Sequence, residues 1–226
     1  MHALRYATIT TIAFLGISFS VSLTKAYSKE APSLPDPTLD AQPAKGTQTA
    51  VFAGGCFWCT EAVFEQVKGV NSVVSGYAGG SKESAKYNLV SGGGTQHAES
   101  IEIKFDPSQI TYGQLLKIFF EVAHDPTTLN RQGPDYGTQY RSAIFYVNDE
   151  QKRVAEAYVK QLTDAKSFNQ PIVTKIGPLP AFYAAEEYHQ DFVKRNPMHP
   201  YVMVNARPKL KKLKEHFPDL LKSTKS

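Results

Sequence analysis

The stretch HAESIEIKFDPSQITYGQLLKIFF, His97 to Phe120, changes its period halfway along. In the first part Ile101, Ile103 and Phe105 alternate with Ser100, Glu102 and Lys104, the two-residue period of a strand with one buried face. In the second part Leu115, Ile118 and Phe119, with Val122 beyond them, recur at helical spacing behind a capping box of Thr111 and Gln114. A half-buried strand followed directly by an amphipathic helix calls for a mixed sheet-and-helix fold. Glu99 shares the parity of Ile101, so its carboxyl emerges on the apolar face where the strand begins; were the strand to start one residue later, Glu99 would face water instead. A carboxyl buried there without a cationic partner holds its proton.

The flanking segments extend the same alternation. Upstream, Thr49 to Ala53 reads as a strand, and Val63, Val67 and Val70 predict a helix ending near Gly69. Val73 and Val74 predict a second strand, and Ser81 to Gly94 a surface loop rich in glycine at its end. Downstream, a second long loop (HDPTTLNRQGPDYGTQY, His124 to Tyr140) precedes a strand SAIFYV, a helix from about Asp149 to Ala165 burying Val154, Tyr158 and Leu162, and a strand PIVTKI. The order βαβ…βαβαβ, with some antiparallel pairing and no regular doubly wound repeat, predicts an α+β sandwich. Tyr87, Asp135 and Tyr140 lie in the two loops, where function concentrates.

Composition narrows the class. The 226 residues are 42% hydrophobic and 20% charged, enough for one sizeable core, and the net charge is a mild +4. Lys209, Lys211, Lys212 and Lys214 fit the polar face of a surface helix, and no basic and aromatic platform for nucleic acid accompanies them. Residues 1–26 read as a signal peptide: a short basic start, an uncharged run from Tyr6 to Leu23, and small residues for cleavage after Ala26 or Ser28. An uncleaved N-terminal anchor is the alternative, and either places the domain in the periplasm or outside the cell. Residues 27–48, rich in proline and polar side chains, read as a linker. The catalytic domain is expected over 49–226.

Both cysteines and the only tryptophan fall in one turn, GGCFWCTE, Gly54 to Glu61. Packing or a structural disulfide would account for a lone CxxC, and so would redox chemistry at a helix N-terminus. A general thiol-disulfide oxidoreductase has no need of Glu99 and the loop tyrosines. A cysteine hydrolase would pair Cys56 with His97, His124 or His189. A zinc site lacks a second CxxC or a paired histidine spacing. No metal or cofactor is expected.

Taken in order, GCFW before a helix, GY, a tyrosine ahead of HAE, then DPS, HDP and RQGPDYGTQYRSAI resemble the peptide methionine sulfoxide reductases of the A type. The resemblance runs from about Ala50 through FYAAEEYHQDF near Phe192. It implies an α+β two-layer sandwich with a ferredoxin-like core and long wrapping loops. It also implies Cys56 as the nucleophile, held as a thiolate by the helix start, and Glu99 as the proton donor to the sulfoxide oxygen. Tyr87 and Tyr140 are implied as further donors to that oxygen, Asp135 as the residue orienting them, and Phe57 and Trp58 as walls around the substrate methyl. Where better-known members have glycine this chain has Cys59, and the tail from Asn196 has no cysteine, so Cys59 is the internal candidate to resolve a Cys56 sulfenic acid. Gln96 stands where glycine commonly precedes HAE. Expected partners are oxidised proteins or peptides carrying the S epimer and a thioredoxin-like reductant, acting on a monomer.

Overall fold

The computed structural model describes residues 33–42 and 45–223. The expected signal peptide lies outside the described residues. A central sheet is built from β1 (Gln48–Gly54), β2 (Val70–Ala78), β3 (Ala98–Phe105) and β6 (Ser142–Tyr146), with β7 (Lys175–Pro178) and β8 (Phe182–Ala184) at its edges. Its spatial order is β7-β6-β1-β3-β2-β8. All pairings are antiparallel except β6 with β7. The inner four strands with helices α1 (Phe57–Glu65) and α3 (Tyr112–Ile118) repeat the βαββαβ path of a ferredoxin-like core, as the α+β expectation held. The long loops carry α2 (Tyr87–Val90), a small hairpin of β4 (Arg131–Gln132) and β5 (Asp135–Tyr136), and a 3-10 turn at Thr138–Tyr140.

Strand parity assigns the two faces. Ala50, Phe52, Tyr77, Ile101, Ile103, Phe105 and Ile144 meet α1, α3 and α4 (Asp149–Asp164) in the main core, where Phe52 stacks on Phe119 at 4.9 Å. Each fully buried side chain of this size contributes about 1.5–3 kcal/mol. The opposite face holds the smaller set Val51, Ala53, Ala78, Ala98, Ala143 and Phe145. The capping box of α3 is present as predicted: Thr111 accepts from the Gln114 amide while the Gln114 side chain accepts from Thr111.

Several elements depart from the sequence reading. Helix α1 ends at Glu65, because the chain tightens after Gln66 and Gly69 takes φ +84, so Val67 and Val70 bury themselves from a turn and from β2 instead. Segment 171–174 is not strand. The Val173 amide donates to Pro126 O and the Thr174 hydroxyl meets Ser142, so pairing with β6 starts only at Lys175. The expected loop from Ser81 to Gly94 contains a 3-10 turn and the single-turn α2.

Residues 33–42, read as free linker, are docked. Leu34, Leu39 and Ala41 pack on the main core. Tyr158 donates to Pro35 O at 2.9 Å, Gln161 bonds Asp36 O and the Thr38 amide, and Glu121 accepts from the Leu34 amide. The Asp40 carboxylate adds itself to the start of α3, accepting from the Thr111 hydroxyl and from the Gly113 amide at 2.8 Å. Prolines hold this segment extended, and side chains of α4, with Glu121 just past α3, satisfy backbone groups that no ladder serves.

Candidate active site

The turn between β1 and α1 requires glycine. Gly55 has φ +83, and a Cβ there would meet the Gln132 side chain at 2.4 Å. This close approach draws the β4 to β5 hairpin over the helix start and places Cys56 as the N-cap of α1. Cys56 O accepts from the Cys59 and Thr60 amides at 3.2 and 3.4 Å, so both thiols lie on the first turn. They are free and buried, in a small cluster with Ala62, Val193, Val202 and Ala206.

Glu99 emerges where strand parity puts it, 2% exposed. Its Oε2 accepts from the Phe57 amide at 3.1 Å, so β3 supplies a partner for an amide that α1 leaves unpaired. Burial pushes its carboxyl up to about 8 against the opposing pull of that hydrogen bond. At neutral pH it is mainly a protonated acid. Tyr87 and Tyr140 lie close enough to Glu99 and Cys56 for the charges of both to act on their hydroxyls. Burial raises both phenols above their ordinary value, so both remain donors.

Cys56 does not behave as the helix start alone predicts. Burial, then neighbouring Cys59 and Glu99, push its thiol well above the ordinary value. The Tyr201 hydroxyl opposes them. At the very end of a short helix the dipole is outweighed by removal of the sulfur from water. Burial therefore favours the thiol form at Cys56, while the hydrogen bond with Cys56 pulls Cys59 below its ordinary value.

Asp135 has a different partner from the expected one. Its carboxylate accepts from the Tyr201 hydroxyl, while the Tyr87 amide is held by Glu186 at 2.9 Å and Tyr140 sits on its own 3-10 turn. Tyr201 lies beyond the quoted motifs, in a tail read only for its lysines and its lack of cysteine. A single tyrosine there has no periodic signal. The tail returns across α1 through the π-helical turn Val202–Ala206, which buries Val202 and Ala206 against the thiols.

Trp58 is clamped on three sides. Its Nε1 donates to His189 Nδ1 at 3.0 Å, Phe192 stacks on it at 3.8 Å and 11°, and Tyr201 meets it edge-on at 5.9 Å. Phe57 is 1% exposed and packs on Tyr77 and His189, so it belongs to the core as much as to any pocket wall. His189, Phe192 and Glu186 come from the FYAAEEYHQDF stretch, which carried the resemblance without assigned roles.

The histidines are committed elsewhere. His97 bonds Ser81 O, His189 accepts from Trp58, and His124 sits between Phe119 O and Ser142 with its pKa pushed by burial to about 3. None of them bonds Cys56, which leaves a cysteine hydrolase without its base. Among the described residues no group of three or more His, Cys, Asp or Glu is placed to hold a metal ion.

The profile of the family "Peptide methionine sulfoxide reductase" matches residues 48–221. Peptide methionine sulfoxide reductase MsrA 2 of Synechocystis sp. is 55% identical over 213 residues, 92% of this chain and 98% of that protein. MsrA 2 of Mesorhizobium japonicum is 56% identical over 182 residues, covering 80% of this chain and 93% of its own. Among solved structures, Mxr1 of Saccharomyces cerevisiae in reduced form superposes with a TM-score of 0.61 at 36% identity, over 74% of this chain and 94% of that one. Methionine sulfoxide reductase A of Corynebacterium diphtheriae gives 0.60 at 34%, over 76% and 91%. A buried thiol beside a protonated carboxyl suits the same chemistry, and the chain belongs to the peptide methionine sulfoxide reductase A family, an oxidoreductase that reduces methionine sulfoxide.

Proposed function

We propose that the chain reduces the S epimer of methionine sulfoxide, in oxidised proteins and as the free amino acid, through a sulfenic acid on Cys56. The buried, protonated Glu99 one hydrogen bond away from the nucleophile's helix carries this reading. Reduction needs a sulfur nucleophile and a proton for the oxygen, because an unprotonated oxide is a poor leaving group. Cys56 supplies the first and Glu99 the second. Tyr87 and Tyr140, whose hydroxyls have no protein acceptor among the described residues, donate to the same oxygen. Phe57 and Trp58 wall the methyl, and Asp135 acts through Tyr201, which faces both thiols.

The step balances without outside protons. Oxygen passes from the substrate sulfur to Cys56, the thiol becomes a sulfenic acid, and methionine leaves. Glu99 gives a proton to the oxygen and recovers one from the thiol. Cys59 then attacks the sulfenic sulfur, forming a Cys56–Cys59 disulfide and releasing water. A thioredoxin-like dithiol returns both thiols by exchange. The leader reading puts this cycle in the periplasm or outside the cell, on a monomer.

Mass spectrometry after one turnover on a methionine-S-sulfoxide peptide, without reductant, tests the cycle. One methionine released with loss of both free thiols is expected. Preference for the R epimer, or an unmodified Cys56, would refute it. An N-terminus beginning after Ala26 or Ser28 on protein from the periplasm or medium checks the location.

A further inference from the structure

Arg141 follows Tyr140 directly, and its guanidinium is spent on backbone carbonyls of two segments. Nη1 donates to His97 O at 3.0 Å and to Thr138 O at 2.9 Å, and Nη2 donates to Gln96 O at 2.9 Å. The first and third carbonyls immediately precede β3, two and three residues before Glu99. The second opens the 3-10 turn that carries Tyr140. Below the guanidinium lies Gly79, at φ +97, where a Cβ would stand 2.9 Å from Nη2 and 3.1 Å from Gln96 O.

Among the described residues Arg141 pairs with no carboxylate, and burial lowers its pKa. A cation kept there costs stability unless its donors do something no neutral side chain does. Only the planar guanidinium offers several N–H groups in a fixed fork, able to hold carbonyls from separate segments at once. These carbonyls sit outside the β2 to β3 ladder, which begins at Ala98, so the fork completes the strand end. It also works through backbone at 96, so the exposed Gln96 replaces glycine without disturbing the contact.

We propose that Arg141 is a positioning residue: it fixes the 3-10 turn of Tyr140 against the start of β3, and so sets the Tyr140 hydroxyl relative to the Glu99 carboxyl. The inference rests on the roles given to Tyr140 and Glu99 above. The Tyr87 amide has separate support, from Glu186, which the fork does not touch.

The test is a double-mutant cycle read as single-turnover rate on a methionine-S-sulfoxide peptide. Arg141→Lys keeps the charge and loses the fork, and is expected to slow the sulfoxide step about 10- to 100-fold, the range for misplacing a reacting group by about an ångström. In that background Tyr140→Phe should add little further loss, whereas Tyr87→Phe should cost as much as it does alone. Full additivity of Arg141→Lys with Tyr140→Phe, or a wild-type rate for Arg141→Lys, would overturn the inference. A wild-type rate for Tyr140→Phe alone would instead overturn the role of Tyr140. Should Arg141→Lys fail to fold, Gly79→Ala crowds the fork from below and takes its place in the cycle, with the same non-additivity expected and additivity again fatal.

Discussion

The Phe57 amide and the Glu99 carboxyl are joined by a 3.1 Å hydrogen bond that links the first residue of α1 to the first turn-inward position of β3. The contact makes one carboxyl serve two ends. It satisfies an amide the helix leaves open, and it holds a proton within the site because burial outweighs that bond.

Glu99→Gln keeps the shape of the side chain and its acceptor oxygen but has no acidic proton. Single-turnover reduction should slow by roughly 10²–10⁴-fold, the usual loss for a general acid. In the wild type the protonated carboxyl is the active form, so the rate should fall as pH rises through about 8. Rapid-quench measurement across pH checks both, and the Gln variant should lose that limb of the profile.

Cys59→Ser should still release one methionine per enzyme, since Cys56 and Glu99 are untouched. Turnover with a thioredoxin-type reductant should stall at the sulfenic acid, while a small thiol that reaches Cys56 directly restores it. Sustained thioredoxin-driven turnover by the variant would return Cys59 to a packing role, consistent only with its 1% exposure.

Asp40 ties the proline-rich strap to α3 through the Thr111 hydroxyl and the Gly113 amide. Asp40→Ala should lower stability by about 1.5–3 kcal/mol, the range for hydrogen bonds to a charged group. Gly113→Ala should act alike, because its Cβ would stand 2.5 Å from the Asp40 carboxylate. Chemical denaturation of the protein from residue 27 onward measures both.

Stability should fall as pH rises from about 6.5 to 8. Burial raises Glu61 to about 7 and Glu99 to about 8 from the ordinary 4.5, so over this window the folded chain binds more protons than the unfolded one. Below 6.5 the decline is partly offset, because buried His124, lowered to about 3, is neutral when folded and protonated when unfolded. Glu61→Gln should flatten the decline. Denaturant midpoints at stepped pH values are the measurement.

Local period and cap chemistry made the core strands, α3 and α4 legible, since the alternation along Ala98–Phe105 answers to which face is buried and the apolar run of Ser142–Tyr146 to burial on both faces. The same logic failed for 171–174, where apolar β-formers sit at a sheet edge and take their hydrogen bonds from Pro126 and Ser142. It failed for 33–42 because a proline-rich composition shows that a segment cannot fold alone, not that it cannot lie on a surface prepared by α3 and α4. Tyr201 and the Trp58 clamp had no periodic signature.

The sequence by itself determined the chemistry on offer: two thiols on one helical turn, a carboxyl on the apolar face of a strand, and tyrosines in two loops. Those follow from residue type and from the two- and 3.6-residue periods, which are local. Only the tertiary structure decided the states and partners of these groups. It pushed the Cys56 thiol up by burial, gave Asp135 to Tyr201 in place of the loop tyrosines, and set the Glu99 carboxyl to accept from the Phe57 amide. Desolvation and hydrogen-bond pairing depend on what distant segments bring within a few ångströms, and no local pattern encodes that distance.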